Sequence, residues 1–140
     1  MDKEIVLAIN PCIDGLNYHD PACAIFVNGE LVFAAEDERF TKIKSSPGVF
    51  PNQAIAIGLS TIGAEMKDVN VIAIPYNPDL NCGRQLILDK WGKNNTEAKF
   101  ITSSTLAHSA SIISKLGYEA KKARTLFFDH HLCHAASSYL

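Results

Sequence analysis

His130 and His134 stand four residues apart in the run Asp129-His130-His131-Leu132-Cys133-His134. On a helix that spacing brings two side chains to one face, so both imidazoles can address a single divalent ion, as in other His-x-x-x-His sites. Asp129 is placed either to cap such a helix or to hold a ring N–H behind a ligand. His131 falls about 100° round the helix from its neighbours, which suits contact with substrate better than ligation. Two ligands do not complete a site. Asp20, His19 and His108 are available as others, but no spacing selects them. The run also fits a surface cluster, or one core histidine with solvated neighbours.

Two further clusters carry polar chemistry. His19-Asp20 precedes an apolar run, where a polar pair can meet a ligand at a sheet edge or make a local turn. Glu36-Asp37-Glu38-Arg39-Phe40-Thr41-Lys42-Ile43-Lys44 is a charge run, which is ordinarily a solvated face. Its place is less ordinary. It follows directly on a buried strand, and strand ends are where α/β sites form. Arg39 or Lys44 could there meet a phosphate or carbonyl oxygen.

The elements that must position these residues follow from pattern. Ile5 to Ile9 is a continuous apolar run and predicts a strand covered on both faces. Asn10 to Pro21 is rich in turn formers. Ala22–Val27 and Leu31–Ala35 predict an antiparallel hairpin closed by Asn28-Gly29, a type I′ dipeptide. Glu36 to Phe50 reads as a charged loop. Pro51 suits a first helical position. Ala54, Ile55, Gly58, Leu59 and Ile62 then recur at helical spacing up to a stop at Gly63. Val69–Ile74 predicts a fourth strand, Asn77-Pro78-Asp79 a turn, and Leu86–Trp91 a short helix. Leu106, Ala110, Ile113 and Leu116 form a helical stripe ending at Gly117. Leu126-Phe127-Phe128 predicts a fifth strand, and His131 to Leu140 a helix that starts without a stop signal. From that last feature residues 1–140 are read as one incomplete domain, a fragment or one part of a split protein; a natural short final helix is the alternative.

Composition narrows the classes. With 47% hydrophobic and 20% charged residues the chain predicts a folded globular domain. A net charge of −2 gives no electrostatic reason to bind nucleic acid. The five apolar residues at the N-terminus are too few for a signal core or a membrane span. The four cysteines, Cys12, Cys23, Cys82 and Cys133, form no Cys-x-x-Cys pair, which predicts free thiols and a cytoplasmic setting. Strands in a meander that hand over to strand–helix alternation predict an α/β fold with a mixed five-stranded sheet and flanking helices. That is the pattern of the ribonuclease-H-like half-domain of the actin-like ATPase superfamily.

Taken together and in this order, the clusters resemble the N-terminal region of the NodU/CmcH-type O-carbamoyltransferases. The matching pieces are Ile9-Asn10; His19-Asp20-Pro21-Ala22-Cys23-Ala24; Val27-Asn28-Gly29; Ala34 through Lys42 with Lys44; Phe50-Pro51; Ile74-Pro75-Tyr76-Asn77-Pro78; and His130 through Ser137. The Glu-rich block and the histidine block are the specific ones. The sequence departs from the family at Cys12 to Tyr18, a longer and different loop, and at Cys133, where a small alanine is usual.

The resemblance implies a ribonuclease-H-like N-terminal domain that passes a carbamoyl group to a hydroxyl of a small-molecule acceptor. A second domain would first combine carbamoyl phosphate and ATP into a carbamoyl-adenylate. It further implies that His130 and His134 bind a divalent, iron-like metal and that His19 and Lys44 line the transfer site; Arg39 and Asp20, from their places at strand ends, are the expected substrate contacts. His19 or His131 is a candidate for taking the acceptor's proton. The expected partners are the C-terminal remainder of the enzyme or a partner subunit, with homo-oligomers open, and no nucleic acid or membrane. A competing expectation is a non-catalytic half-domain that docks a partner carrying the rest. A sugar-kinase-like ATPase fragment is disfavoured, having no need of a His-x-x-x-His pair.

Overall fold

Alternation of bulky and small side chains shapes the sheet. In Ile5-Val6-Leu7-Ala8-Ile9-Asn10 every second residue is a large aliphatic, and a strand sends alternate side chains to opposite faces. The computed structural model describes residues 3–12, 19–77 and 112–138, and in it this segment is β1 (Ile5–Asn10). Ile5, Leu7 and Ile9 are fully buried, whereas Val6, Ala8 and Asn10 are only half-buried. The expectation of a strand covered on both faces is thus corrected, because the second face opens onto a cleft.

β2 (Ala22–Val27) and β3 (Glu30–Glu36) form the expected hairpin. Asn28 and Gly29 at its tip have φ of 50° and 83°, the left-handed pair that a type I′ turn requires. The segment after β3 departs from a plain charged loop. It contains a one-turn helix, α1 (Glu38–Thr41), whose N-cap is Asp37. α2 (Asn52–Thr61) begins one residue after Pro51, which serves as its N-cap. It closes as the sequence predicts. Gly63, at φ 64°, lets Gly63 N–H donate to Ser60 and Ala64 N–H donate to Leu59, the paired bonds of a Schellman end.

β4 (Val71–Ile74) follows a short 3-10 turn at Met66–Asp68. The predicted Leu86–Trp91 helix lies outside the described residues, as do Pro78-Asp79, Cys82, His108 and, of the helical stripe, Leu106 and Ala110. Residues 112–116 are helical and end at Gly117, φ 91°. A 3-10 turn at Tyr118–Lys122 leads into β5 (Arg124–Phe127), and α3 (His130–Ser137) completes the order.

The five strands lie in the order β3-β2-β1-β4-β5. β1 pairs antiparallel with β2, and β2 with β3, while β1–β4 and β4–β5 are parallel. One face of this mixed sheet carries Ile5, Leu7, Ile9, Cys23, Ile25, Ile72 and Ile74, packed against Ala54, Ile55 and Leu59 of α2 and against Ile112, Ala120 and Ala123. Each fully buried aliphatic of this kind stabilises by about 1.5–3 kcal/mol. α2 approaches the sheet so closely at Gly58 that a Cβ there would lie 2.6 Å from Phe33 and 2.7 Å from Ile25. Among the described residues no helix is long and apolar enough to cross a membrane.

Candidate functional site

The opposite face of the sheet is paved with alanine. Ala34, Ala24, Ala8 and Ala73 are successive cross-strand partners on β3, β2, β1 and β4. Small side chains in one row leave a depression, and a cleft of about 630 Å³ lies over it. Its floor is those alanines with Ala22. Its walls include Asn10, Glu36 and Arg39 at one side and Pro75, Phe128 and Cys133 at the other. An apolar floor with a few polar groups at its margin is the usual make-up of a small-molecule site.

Topology gathers the polar clusters at one edge of the sheet. Asn10, Ile74 and Phe127 end the parallel strands β1, β4 and β5, while Ala22 begins β2 between Asn10 on one side and Glu36, the end of β3, on the other. The loops leaving this edge carry His19-Asp20, the Glu36–Lys44 segment, Pro75-Tyr76 and Asp129-His134. Strand ends of parallel β-structure are where α/β proteins place their ligands.

α3 starts as its sequence dictates. Asp129 adopts an extended conformation as N-cap and its carboxylate accepts from Leu132 N–H at 2.8 Å. This cap puts His130 in the first turn, one turn before His134. Their Nε2 atoms stand 3.0 Å apart. His130 Nδ1 donates to the Pro75 carbonyl at 3.2 Å. Since a carbonyl only accepts, the neutral His130 ring carries its lone pair on Nε2, toward His134. Two nitrogens each about 2.1 Å from an ion, at roughly a right angle, would be about 3.0 Å apart, so the pair fits two adjacent positions of a coordination shell. The carbonyl behind Nδ1 is the support that ligand histidines ordinarily have. Among the described residues no third His, Cys, Asp or Glu joins them in a metal-sized cluster. His131 is turned away and exposed, its ring edge-on to His130 at 6.0 Å.

The other predicted residues lie on the β1–β3 side. His19 Nδ1 donates to Asp20 Oδ2 at 2.6 Å, with both side chains well exposed. The bonds from His19 and Ser45 hold the Asp20 carboxyl below its ordinary range. Asp20 itself has φ 54°. Its N–H donates to the Ser45 carbonyl and its own carbonyl accepts from Asn10 Nδ2, so the dyad is tied to β1 and to the loop that bears Lys44. Lys44 is exposed. Arg39 lines the cleft and reaches Glu36 at 3.8 Å. His130 and His134 are therefore brought together, as are His19 and Asp20. The first pair lies beside Cys133 and Pro75 on one wall, and Arg39 stands on the other.

Sequence reasoning passed over three features. The alanine floor was visible in the alternation of Val6-Leu7-Ala8-Ile9, Ala22-Cys23-Ala24-Ile25 and Ile72-Ala73-Ile74. Tyr76, stacked on His130 with ring centroids 4.3 Å apart, had no signal beyond its neighbourhood. Asp37, hidden within a charge run, is 1% exposed and binds Ala54 N–H of α2 at 2.8 Å. Cys23 lies beneath, where burial, reinforced by the Asp37 charge, pushes its thiol up to about 12. It is a core residue and no nucleophile.

Residues 12–140 match the family described as carbamoyltransferase N-terminus, a stretch that includes His19, Asp20, Arg39, Lys44 and the whole histidine run. The chain is 29% identical over 125 residues to the nodulation protein NolNO of Sinorhizobium fredii (strain NBRC 101917 / NGR234), covering 86% of this chain and 17% of that protein. It is 28% identical over 138 residues to the uncharacterized protein sll1178 of Synechocystis sp. (strain ATCC 27184 / PCC 6803 / Kazusa), covering 87% and 22% respectively. The chain thus spans about a fifth of the length of these curated relatives.

Proposed function

The chain belongs to the carbamoyltransferase N-terminus family, and from that premise we propose that it is the N-terminal part of an O-carbamoyltransferase. It would receive a carbamoyl group, made from carbamoyl phosphate and ATP as carbamoyl-adenylate, and pass it to a hydroxyl of a small-molecule acceptor. The reading of a ribonuclease-H-like half-domain draws support from the strand order β3-β2-β1-β4-β5 with its antiparallel hairpin and parallel remainder. Use of these two phosphorylated substrates favours a cytoplasmic setting.

The observation that carries the reading is the convergence of His130 and His134 Nε2 at 3.0 Å beside an alanine-floored cleft. These two residues would hold a divalent ion, with remaining ligands from substrate or from further polypeptide. When bound, such an ion polarises a carbonyl or phosphate oxygen. The rest falls to the chain's own residues. Arg39 on the cleft wall orients the anionic end of the donor, and Lys44 neutralises phosphate charge. Of the two candidate bases, His19 is favoured over His131. Asp20 accepts from its Nδ1 and so fixes Nε2 as the basic nitrogen, the arrangement in which a carboxylate orients a general base, whereas the contact His131 makes is the edge-on one with the His130 ring.

A second reading, a non-catalytic half-domain that docks a partner, draws on the exposure of α3, none of whose residues is buried. One experiment separates the two. Carbamoyl transfer from labelled carbamoyl phosphate, with ATP and a panel of hydroxylated acceptors, is assayed for the chain together with the product of the adjacent reading frame. The transferase reading expects activity that falls at least about 100-fold in His130→Ala, as for removal of a group stabilising the transition state. Undiminished transfer in that variant would sink it and leave the docking role.

A further inference from the structure

We propose that Tyr76 is the positioning residue of the imidazole pair, holding His130 as the fixed ligand against which His134 closes. The inference rests on the metal reading above and concerns how one ring gets its direction.

His130 is held by two contacts from the far end of β4, fifty-five residues away in sequence. The Pro75 carbonyl accepts from Nδ1 at 3.2 Å and thereby selects the tautomer. A single hydrogen bond of that length does not hold a ring by itself, because without a second contact the ring swings off the carbonyl and both tautomers become accessible. Tyr76 removes that freedom. Its ring lies on the imidazole face with centroids 4.3 Å apart and planes 14° from parallel, an aromatic pairing that contributes about 0.5–1.5 kcal/mol beyond area burial. The ring of His134 meets His130 edge-on, at 4.5 Å and 82°. Tyr76 therefore sets the His130 plane and keeps Nδ1 on the Pro75 carbonyl, so that the tautomer this carbonyl selects is held only while the stack is present, and the common result is an Nε2 lone pair aimed at the point His134 also faces.

Tyr76 can do this because it is itself anchored. It packs as a partly buried residue against the main core, whereas His134 is exposed. One arm of the pair is rigid and the other adjustable. Groups that orient a ligand histidine from behind typically change metal affinity by about 10–100-fold when removed.

The test uses the full chain titrated with Zn(II) against a competing chelator, for wild type, Tyr76→Phe, Tyr76→Leu and Tyr76→Met. Nitrogen-15 NMR of the imidazoles in the metal-free protein reports the His130 tautomer, and amide spectra report folding. Tyr76→Phe keeps the stack and should bind within about twofold of wild type. Tyr76→Leu and Tyr76→Met fill space without a ring face. They should bind about tenfold more weakly and show mixed His130 tautomers in a folded protein. Wild-type affinity and an unmixed tautomer in whichever of Leu or Met folds would overturn the proposal. If wild type itself takes up no ion, the metal reading fails, and the nitrogen shifts alone then decide whether Tyr76 positions His130.

Discussion

Asp37 carries more structural duty than any other acid in its charge run. Its backbone N–H donates to the Pro21 carbonyl, its carbonyl accepts from Phe40 and Thr41 N–H, and its Oδ1 accepts from Ala54 N–H. Pro51 precedes α2 as N-cap and offers no side-chain acceptor, so Asp37 caps that helix from seventeen residues away. A carboxylate there also meets the positive end of the helix dipole. Asp37→Ala would leave a buried N–H without a partner, at a cost of about 1–3 kcal/mol, and Tm should fall by several degrees. Asp37→Asn keeps an acceptor and should lose less; equal Tm in wild type and Asp37→Ala would remove the capping role. Nothing in Glu36-Asp37-Glu38 marks the middle acid as the buried one, because the sequence does not say which way a chain turns after a strand. Arg39 and Lys44 were legible as charges at a strand end, and of the two only Arg39 is found on the cleft wall.

Elements were more legible than residues where a local rule sets them. The Asn28-Gly29 turn, the Gly63 stop and the Asp129 cap each depend on backbone conformation or a hydrogen bond within a few residues, and each forms as the sequence predicts. The one-turn helix α1 was missed because four residues show no period. Gly58 is the informative case inside a helix. Glycine in a helix interior normally costs about 1 kcal/mol relative to alanine, so Gly58→Ala would stabilise an isolated α2. In this fold the added methyl meets Phe33 and Ile25 closer than 3.0 Å, and overpacking of that kind costs about 1–3 kcal/mol. Thermal unfolding of Gly58→Ala should therefore shift downward. An upward shift would mean that helix propensity outweighs the contact with β2 and β3.

At the scale of the whole molecule, the sheet separates two tasks. One face, carrying isoleucine and leucine, holds α2 and makes the core; the other, carrying alanine, makes room. Ala24 lies mid-row between Ala8 and Ala34, so Ala24→Leu should fill the cleft without disturbing the core. Carbamoyl transfer in the assembled enzyme is expected to drop at least about tenfold, as one misfitted side chain in a pocket weakens binding by about 1–3 kcal/mol, with Tm and Zn(II) affinity unchanged. Transfer at the wild-type rate would place the substrate elsewhere. The sequence by itself determined the strands, the hairpin, the helix ends and the pairing of His130 with His134 on one face, because these follow from side-chain period, turn chemistry and i,i+4 spacing. Only the tertiary structure decided that β4 would stand beside β5, bringing Pro75 and Tyr76 onto His130, that alanines from four strands would fall in one row, and that Asp37 would reach α2. Those depend on strand order and register, which arise from packing between segments far apart in the chain and leave no mark in any one of them.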